Sequence, residues 1–170
     1  MIAFLRLCFV LFAFLALGSG LASATNAEQA SEALKKGREL LDKRDLTSAE
    51  QLLDDAVRLQ PDLAAAYYYR GYVHSLRRDF DRAIADYGVA IRLMPGYVGG
   101  YLGRGLAYES NGVWDKALAD FRQAVKLCPA NLDVRNRVVI VTAKKGALSD
   151  FISERDAFLR LWRSDKLTAV

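Results

Sequence analysis

The sequence has few of the residues from which metal and nucleophilic sites are usually built. Among 170 residues it contains one histidine, His74, and two cysteines, Cys8 and Cys128. No cysteine pair or histidine cluster has the spacing of metal ligands, and no Gly-Lys-Ser/Thr follows the glycines before Tyr101, as a phosphate-binding loop would require. We therefore expect no metal, no cofactor, no small-molecule substrate and no catalytic activity.

The sequence also lacks a large excess of charge of one sign. The 24 basic and 20 acidic side chains leave a net charge of +4. Acidic residues interrupt the short basic stretches, as Asp79 does directly after Arg77 and Arg78. Nucleic-acid-binding domains usually present a continuous basic face, so the sequence predicts no nucleic-acid partner.

The first 24 residues differ from the rest of the chain. Arg6 is their only charged residue, the run from Leu7 to Leu17 is entirely apolar, and small residues follow up to Ala24. A short basic start, an apolar stretch and an A-x-A site are typical of a secretory signal peptide. We therefore predict cleavage after Ala24 and export to the periplasm without a stable membrane span. Secretion and a retained anchor are alternatives, because the uncharged segment just reaches spanning length.

A 34-residue period dominates the remainder of the chain. The stretch RGYVHSLRRDFDRAIADY, beginning at Arg70, returns from Arg104 as RGLAYESNGVWDKALADF. Self-similarity at such a period is the signature of a repeat array. Four columns agree across the units 30–63, 64–97 and 98–131: Gly37, Gly71 and Gly105; Ala49, Ala83 and Ala117; Ala56, Ala90 and Ala124; Pro61, Pro95 and Pro129.

Each unit predicts a helix, a tight turn and a second helix. Apolar residues recur at helical spacing in both halves, and the proline column ends the second helix. The column of Thr47, Asp81 and Asp115 is predicted to cap that helix, with Thr47 and Glu50 forming a capping box. The glycine column lies mid-helix, where glycine costs about 1 kcal/mol relative to alanine, so we expect another helix to approach closely there.

These columns resemble the tetratricopeptide repeat, a helical hairpin with a characteristic pattern of aromatic and small residues. In the third unit the matching residues are Tyr101, Arg104, Gly105, Tyr108, Ala117, Phe121 and Pro129. The resemblance implies an all-α solenoid of three clear repeats, preceded by a short tail at 25–29. A degenerate fourth repeat at 132–165 is expected to close the array, followed by a tail at 166–170.

Arginine stands where the family pattern has leucine in two of the repeats. Arg70 is followed by Asp86, and Arg104 is followed at the same interval by Asp120. We predict an ion pair between the two helices of each of these repeats, which fixes their register more than it adds stability. His74 occupies an aromatic column of the repeat and is predicted to pack in the core.

The degenerate fourth repeat contains a β-branched run, VVIVT from Val138, that alone would suggest a strand. The array context favours a helix, capped by Asn131 and ended by Gly146. A last helix is predicted from Ser149. Its apolar residues Phe158, Leu161 and Trp162 are predicted to offer a second contact surface.

The resemblance implies that the first helices of successive repeats line a concave groove that holds a peptide. Aromatic and arginine side chains concentrate binding energy at such interfaces. The alternative left open is that Tyr68 or Tyr72 packs against its neighbours within the fold. The predicted groove residues are Leu34, Arg38, Tyr68, Tyr69, Tyr72, Leu102, Leu106 and Arg137.

Some members of the family clamp a partner's C-terminal carboxylate with lysine and asparagine side chains. The matching positions here are Leu34, Arg38, Tyr69, Gly99 and Gly103. Only Arg38 could bind a carboxylate, so a chaperone tail is not the expected ligand. We expect a more apolar segment, extended or helical.

The sequence therefore predicts a non-enzymatic adaptor that binds a peptide segment of another bacterial cell-envelope protein in its groove. The alternative is a structural subunit that associates with itself or with a permanent partner through its last helix. Under that alternative the groove holds no ligand, and the contact residues are those named above in the last helix. Neither alternative involves a nucleic acid or a cofactor.

Overall fold

The computed structural model describes residues 25–146 and 148–168, with side chains up to Ser164. Every regular element in these ranges is an α-helix, so the all-α prediction is confirmed. The predicted signal peptide, 1–24, lies outside the described residues. Helix α1 spans residues 25–42, and the others are α2 (Leu46–Leu59), α3 (Ala64–Leu76), α4 (Phe80–Leu93), α5 (Val98–Ser110), α6 (Trp114–Leu127), α7 (Leu132–Lys145) and α8 (Leu148–Thr168).

The chain divides into two compact units, residues 1–63 and 64–170. In the described part of the first unit, α1 and α2 approach each other where Gly37 faces Leu53. A Cβ on Gly37 would lie 3.1 Å from Leu53 Cγ. The fully buried alanines Ala30, Ala49 and Ala56 belong to this unit.

The second unit contains α3 to α8, and each of these helices packs against the next along the chain. The first helices of its hairpins, α3, α5 and α7, begin one repeat length apart, and so do the second helices, α4, α6 and α8. Helix α3 also contacts α5. The fully buried rings of Tyr87 and Phe121 lie in the core of this unit.

A left-handed residue closes the turn between the two helices of each clear repeat. Arg44, Arg78 and Gly112 have φ angles of 62°, 64° and 72° and occupy the same position in successive repeats. Glycine adopts this conformation without a steric penalty, whereas an L side chain incurs one. The turn geometry therefore repeats although only one of the turns has glycine at this position.

The capping residues predicted for the second helices of the three clear repeats were wrong. Asp45 caps α2 by accepting a hydrogen bond from the Ser48 backbone N–H at 3.1 Å, and Asp79 caps α4 in the same way. Hydrogen bonds from Ser48 lower the pKa of the Asp45 carboxyl. Helix α6 follows Val113 and has no side-chain cap. The turns are shorter than predicted, so the residues expected to be caps already lie in the first helical turn: Thr47, Asp81 and Asp115.

The prolines end the second helices as predicted. Helices α2, α4 and α6 stop two residues before Pro61, Pro95 and Pro129. In each case the backbone N–H of the residue before proline reaches back to the carbonyl of an alanine in the repeated column. Proline cannot continue this pattern because it has no backbone N–H.

Both predicted tails are helical where the structure describes them. Helix α1 includes residues 25–29, and α8 continues to Thr168. Alanine, glutamate and glutamine in the first of these segments favour a helix. Ser31 Oγ also donates a hydrogen bond to the Ala27 carbonyl at 2.9 Å, within α1.

The β-branched run after the third repeat is helical, as the array context predicts. Asn131 caps α7 by accepting from the Val134 backbone N–H at 3.1 Å, and Gly146 ends it with φ 79°. Val138 and Val141 are buried against α6. Tertiary packing therefore overrides the strand propensity of this segment.

Candidate functional site

The second helices α4 and α6 each pack a large aromatic side chain against glycines of the neighbouring first helices. A Cβ on Gly71 would lie 3.2 Å from the Tyr87 ring, and a Cβ on Gly105 would lie 2.7 Å from the Phe121 ring. Tyr87 also approaches the next first helix, where a Cβ on Gly103 would lie 2.6 Å away. These contacts fix the positions of α3 and α5, whose outer faces carry predicted groove residues.

The two predicted ion pairs are confirmed. Arg70 donates to both carboxylate oxygens of Asp86 at 2.8 and 2.7 Å, and Arg104 donates to both oxygens of Asp120 at 2.8 Å. Both aspartates are buried, and the hydrogen bonds to Asp120 raise the pKa of Arg104. Bidentate geometry of this kind specifies the relative position of two helices. These arginines therefore hold each hairpin together.

His74 is buried in the core, as predicted. Its side chain is 7% exposed, and Nε2 lies 3.5 Å from Asp86 Oδ2. The same carboxylate is hydrogen-bonded by Arg70. His74 thus belongs to the polar contact between α3 and α4 rather than to an open site.

Helix α3 carries a cluster of tyrosines. The Tyr68 ring lies 5.0 Å from those of Tyr69 and Tyr97 and 5.7 Å from that of Tyr87, measured between centroids. Burial raises the pKa values of Tyr68 and Tyr87. Tyr72, one turn after Tyr68, is 43% exposed. Of the predicted groove tyrosines, Tyr68 therefore packs within the fold and Tyr72 presents its ring to solvent.

The predicted groove residues on α5 are partly buried. Leu102 and Leu106 pack against a core cluster that includes Phe121, Val138 and Val141. Each leucine therefore buries part of its side chain in the core and exposes the rest. The structure thus places both leucines beside α7, which carries Arg137.

Arg137 lies beside a buried carboxylate. Its Nη1 is 3.6 Å from Glu109 Oε2, beyond hydrogen-bond distance, and its side chain is 45% exposed. Lys144 donates to Glu109 Oε1 at 2.8 Å, while Oε2 accepts no hydrogen bond from the described residues. Glu109 thus links α5 to α7 through Lys144, and the exposed Arg137 lies beside its second carboxylate oxygen.

Leu34 and Arg38 lie on α1 in the first compact unit, where Leu34 is half-buried and Arg38 is exposed. The remaining predicted groove residues lie on α3, α5 and α7 of the second unit. Of the clamp positions there, Gly103 is covered by Tyr87, and a Cβ on Gly99 would lie 3.1 Å from the Tyr97 ring. Neither glycine offers a side chain to a carboxylate.

The last helix carries the second predicted contact surface. Phe158 and Leu161 are half-buried, and Trp162 is 44% exposed. Arg122 on α6 donates to Glu154 on α8 at 3.0 Å, which joins the first third of the helix to α6.

Within the described ranges, no helix is long and apolar enough to cross a membrane. The same ranges contain no group of three or more histidine, cysteine, aspartate or glutamate side chains arranged to hold a metal ion. Cys128, at the end of α6, is half-buried.

Sequence comparison agrees with the helical architecture. Two overlapping matches to the tetratricopeptide repeat model cover residues 34–98 and 77–131, more than half of the chain. The chain belongs to the tetratricopeptide repeat family. No curated protein sequence matches it significantly.

Solved structures share the fold of this tetratricopeptide repeat protein. A crystal structure of the MamA protein has a TM-score of 0.79 and 22% identity, covering 86% of this chain and 80% of that one. The first TPR domain of Spaghetti (RPAP3), bound to the HSP90 peptide SRMEEVD, has a TM-score of 0.69 and 18% identity, covering 71% and 95%. The Arabidopsis OM64 TPR domain has a TM-score of 0.68 and 26% identity, covering 70% and 98%.

Three residues that shape the site were missed at the sequence level. Tyr97 packs on Tyr68 from the turn before α5, and Glu109 with Lys144 joins α5 to α7. The separation of Glu109 from Lys144 along the chain is close to one repeat length. Opposite charges at that spacing were the available signal, because neighbouring first helices bring such positions together.

Proposed function

We propose that the protein is a non-enzymatic interaction module that binds a peptide segment of another protein along α3, α5 and α7. The observation that carries this is the exposure of Tyr72, a large aromatic side chain on a first helix beside a fixed tyrosine cluster. Aromatic side chains offer large contact area at a low entropic cost and are enriched in binding hot spots. Similarity to the peptide-bound Spaghetti domain supports this use of the surface.

The chemistry of the surface favours a ligand that is mainly apolar with one acidic group. Tyr72 and the partly exposed edges of Leu102 and Leu106 suit apolar side chains. Arg137 can donate bidentate hydrogen bonds to a carboxylate. Because Glu109 Oε2 lies 3.6 Å from Arg137 Nη1, the arginine can turn toward a ligand while Lys144 still neutralises Glu109.

The groove is tested first by photo-cross-linking. A benzophenone amino acid replaces Tyr72 in one sample and Met94 in the matched control, since Met94 is 50% exposed but ends a second helix. The expected result is a cross-linked partner peptide at position 72 that is absent at position 94. Equal cross-linking at the two positions would refute a specific groove site.

Binding of the identified peptide then measures the contribution of each side chain. Tyr72→Ala is expected to raise the Kd by roughly thirtyfold, the effect of losing a hot spot of about 2 kcal/mol. Arg137→Ala is expected to weaken binding and to reduce its dependence on salt. Met94→Ala should leave the Kd unchanged. Circular dichroism and the Tm establish that each variant is folded.

We place the protein in the bacterial cell envelope as part of the same proposal, with periplasmic export directed by residues 1–24. The apolar run and the small residues before Thr25 support this placement. The intact mass of the protein purified from its own cells is expected to correspond to a chain that begins at Thr25. A mass that includes Met1, together with recovery in the membrane fraction, would instead indicate a retained anchor.

A further inference from the structure

A buried carboxylate lies between the first helices α5 and α7, beside the surface assigned above to the peptide. The Glu109 side chain is 10% exposed, whereas those of Arg137 and Lys144, which approach it from α7, are 45% and 47% exposed. We propose that Glu109 competes with an acidic group of the bound peptide for Arg137, and so determines how strongly the groove selects acidic peptides. This inference rests on the proposed function and names the residue that sets its specificity.

The two oxygens of the Glu109 carboxylate have unequal surroundings. Oε1 accepts a hydrogen bond from Lys144 Nζ at 2.8 Å, and the same ammonium group lies 5.3 Å from the centre of the Trp114 ring. Lys144 is thus already engaged by α5 and α6. Oε2 is buried and accepts no hydrogen bond from the described residues, and Arg137 Nη1 lies 3.6 Å from it. Because a buried acceptor without a hydrogen bond is costly, Glu109 attracts Arg137 while no peptide is bound.

This contact differs from the ion pairs that hold the hairpins together. Arg70 and Arg104 each donate to both oxygens of an aspartate, and that pair recurs one repeat apart. In the neighbouring repeats the position of Glu109 is occupied by Ser75 and Ala143, which carry no charge. The contact between Glu109 and its arginine is therefore not part of the repeated packing. Its longer distance lets a ligand draw the arginine away more easily than from a bidentate pair.

A carboxylate of the peptide and Glu109 would be like charges beside one guanidinium group. Arginine has enough donors to bind both, but the two acids repel each other strongly where burial excludes water. One carboxylate and two cations leave a single net positive charge in this cluster, and a neutral side chain at position 109 would leave two. Glu109 therefore lowers the affinity for acidic peptides and leaves apolar contacts, such as those of Tyr72, as the main determinant of binding.

The first test selects a displayed library of random peptides against wild type, Glu109→Gln and Asp115→Asn. Glutamine keeps the size of the side chain and an acceptor for Lys144, but removes the charge that competes for Arg137. Asp115→Asn is the matched control, because Asp115 also pairs with a lysine of α7 but its side chain is 77% exposed. Peptides selected by Glu109→Gln should be richer in aspartate and glutamate than those selected by wild type or by the control. Circular dichroism establishes that each variant is folded.

The second test measures the Kd of one selected acidic peptide, and of the same peptide with amides in place of its carboxylates, by fluorescence anisotropy. Glu109→Gln is expected to tighten binding of the acidic peptide about two- to fivefold, the range of a partly exposed ion pair. Binding of the amide peptide should not change. Most of the gain should disappear in an Arg137→Ala background, because Glu109 acts through Arg137. A gain that persists undiminished there overturns the proposal, as does a Glu109→Gln variant that binds the acidic peptide no better than wild type.

The outcomes separate this inference from the proposed function. If Arg137→Ala weakens binding of the acidic peptide but Glu109→Gln does not strengthen it, the groove binds peptides and competition by Glu109 is refuted. If Tyr72→Ala leaves the Kd of every selected peptide unchanged, the groove is not where they bind and the proposed function itself fails.

Discussion

Replacing Gly105 with alanine should destabilise the protein even though alanine is the better helix former. A Cβ at this position would lie 2.7 Å from Phe121 Cε1 and 2.9 Å from Cδ1. The Phe121 ring is fully buried between α5, α6 and α7, so it has little room to move away. Overpacking of this kind costs about 1–3 kcal/mol, against a gain in helix propensity of about 1 kcal/mol.

Gly88→Ala isolates the packing cost. Gly88 also lies within a helix, but its Cβ would meet only Arg104 Nη1, at an ordinary 3.7 Å. The gain in propensity is common to both substitutions, so the free energies of unfolding of Gly88→Ala and Gly105→Ala should differ by about 1–3 kcal/mol. Each kcal/mol corresponds to roughly 2–4 °C in Tm at this chain length.

Urea and thermal unfolding, followed by circular dichroism, measure this difference. The expected order of stability is Gly88→Ala, then wild type, then Gly105→Ala. Phe121→Leu in the Gly105→Ala background should cost less than it does in wild type, because the smaller side chain relieves the clash. If Gly105→Ala is as stable as Gly88→Ala, the close approach of α5 and α6 does not limit this position.

Three further predictions concern contacts within the fold. Arg104→Ala should destabilise by about 2–4 kcal/mol because Asp120 is left buried without its partner, whereas adding Asp120→Ala should recover part of the loss in a double-mutant cycle. Asn131→Ala should cost about 1 kcal/mol in urea unfolding by removing the cap of α7. In alkaline absorbance titration, Tyr68 and Tyr87 should ionise above the ordinary tyrosine pKa. Because their folded pKa values are raised, the stability that they contribute is present below the unfolded pKa and is lost as pH rises further.

The repeated columns made most of the fold predictable. Gly71, Gly105 and the prolines recur at a fixed spacing, so each residue is supported by its equivalents in the other repeats. The array context correctly predicted a helix for the β-branched run after Asn131, although the fourth repeat is degenerate. Periodicity outweighs local propensity because each hairpin must match the surface of its neighbour.

The turns were less predictable. Asp45 and Asp79 cap their helices, although Thr47 and Asp81 also belong to the residue classes that favour this position. The choice depends on whether the preceding arginine adopts a left-handed conformation, as Arg44 does with φ 62°. A residue type that rarely takes this conformation gives no signal for it in one sequence.

The candidate site was only partly predictable, because groove columns do not repeat a residue type. Tyr72 and Leu106 occupy one column, yet Tyr72 projects into solvent and Leu106 packs on the core. The difference arises from their neighbours. Leu106 packs on the cluster that contains the valines of α7. On α3 it is Tyr68, one turn before Tyr72, whose ring lies among Tyr69, Tyr87 and Tyr97.

Equivalent positions of this array differ in how far their side chains are buried. Phe80, Trp114 and Leu148 share one column, and the first two are covered by the next hairpin while Leu148 is 70% exposed. Tyr72 diverges in the same sense on the first-helix surface. At a repeat position that is buried in one hairpin and exposed in another, the exposed side chain is of a type that elsewhere packs against a neighbouring helix. Tyr72 is exposed one turn after Tyr68, which packs on the core, so a substitution at Tyr72 should change peptide binding without changing the stability of the fold.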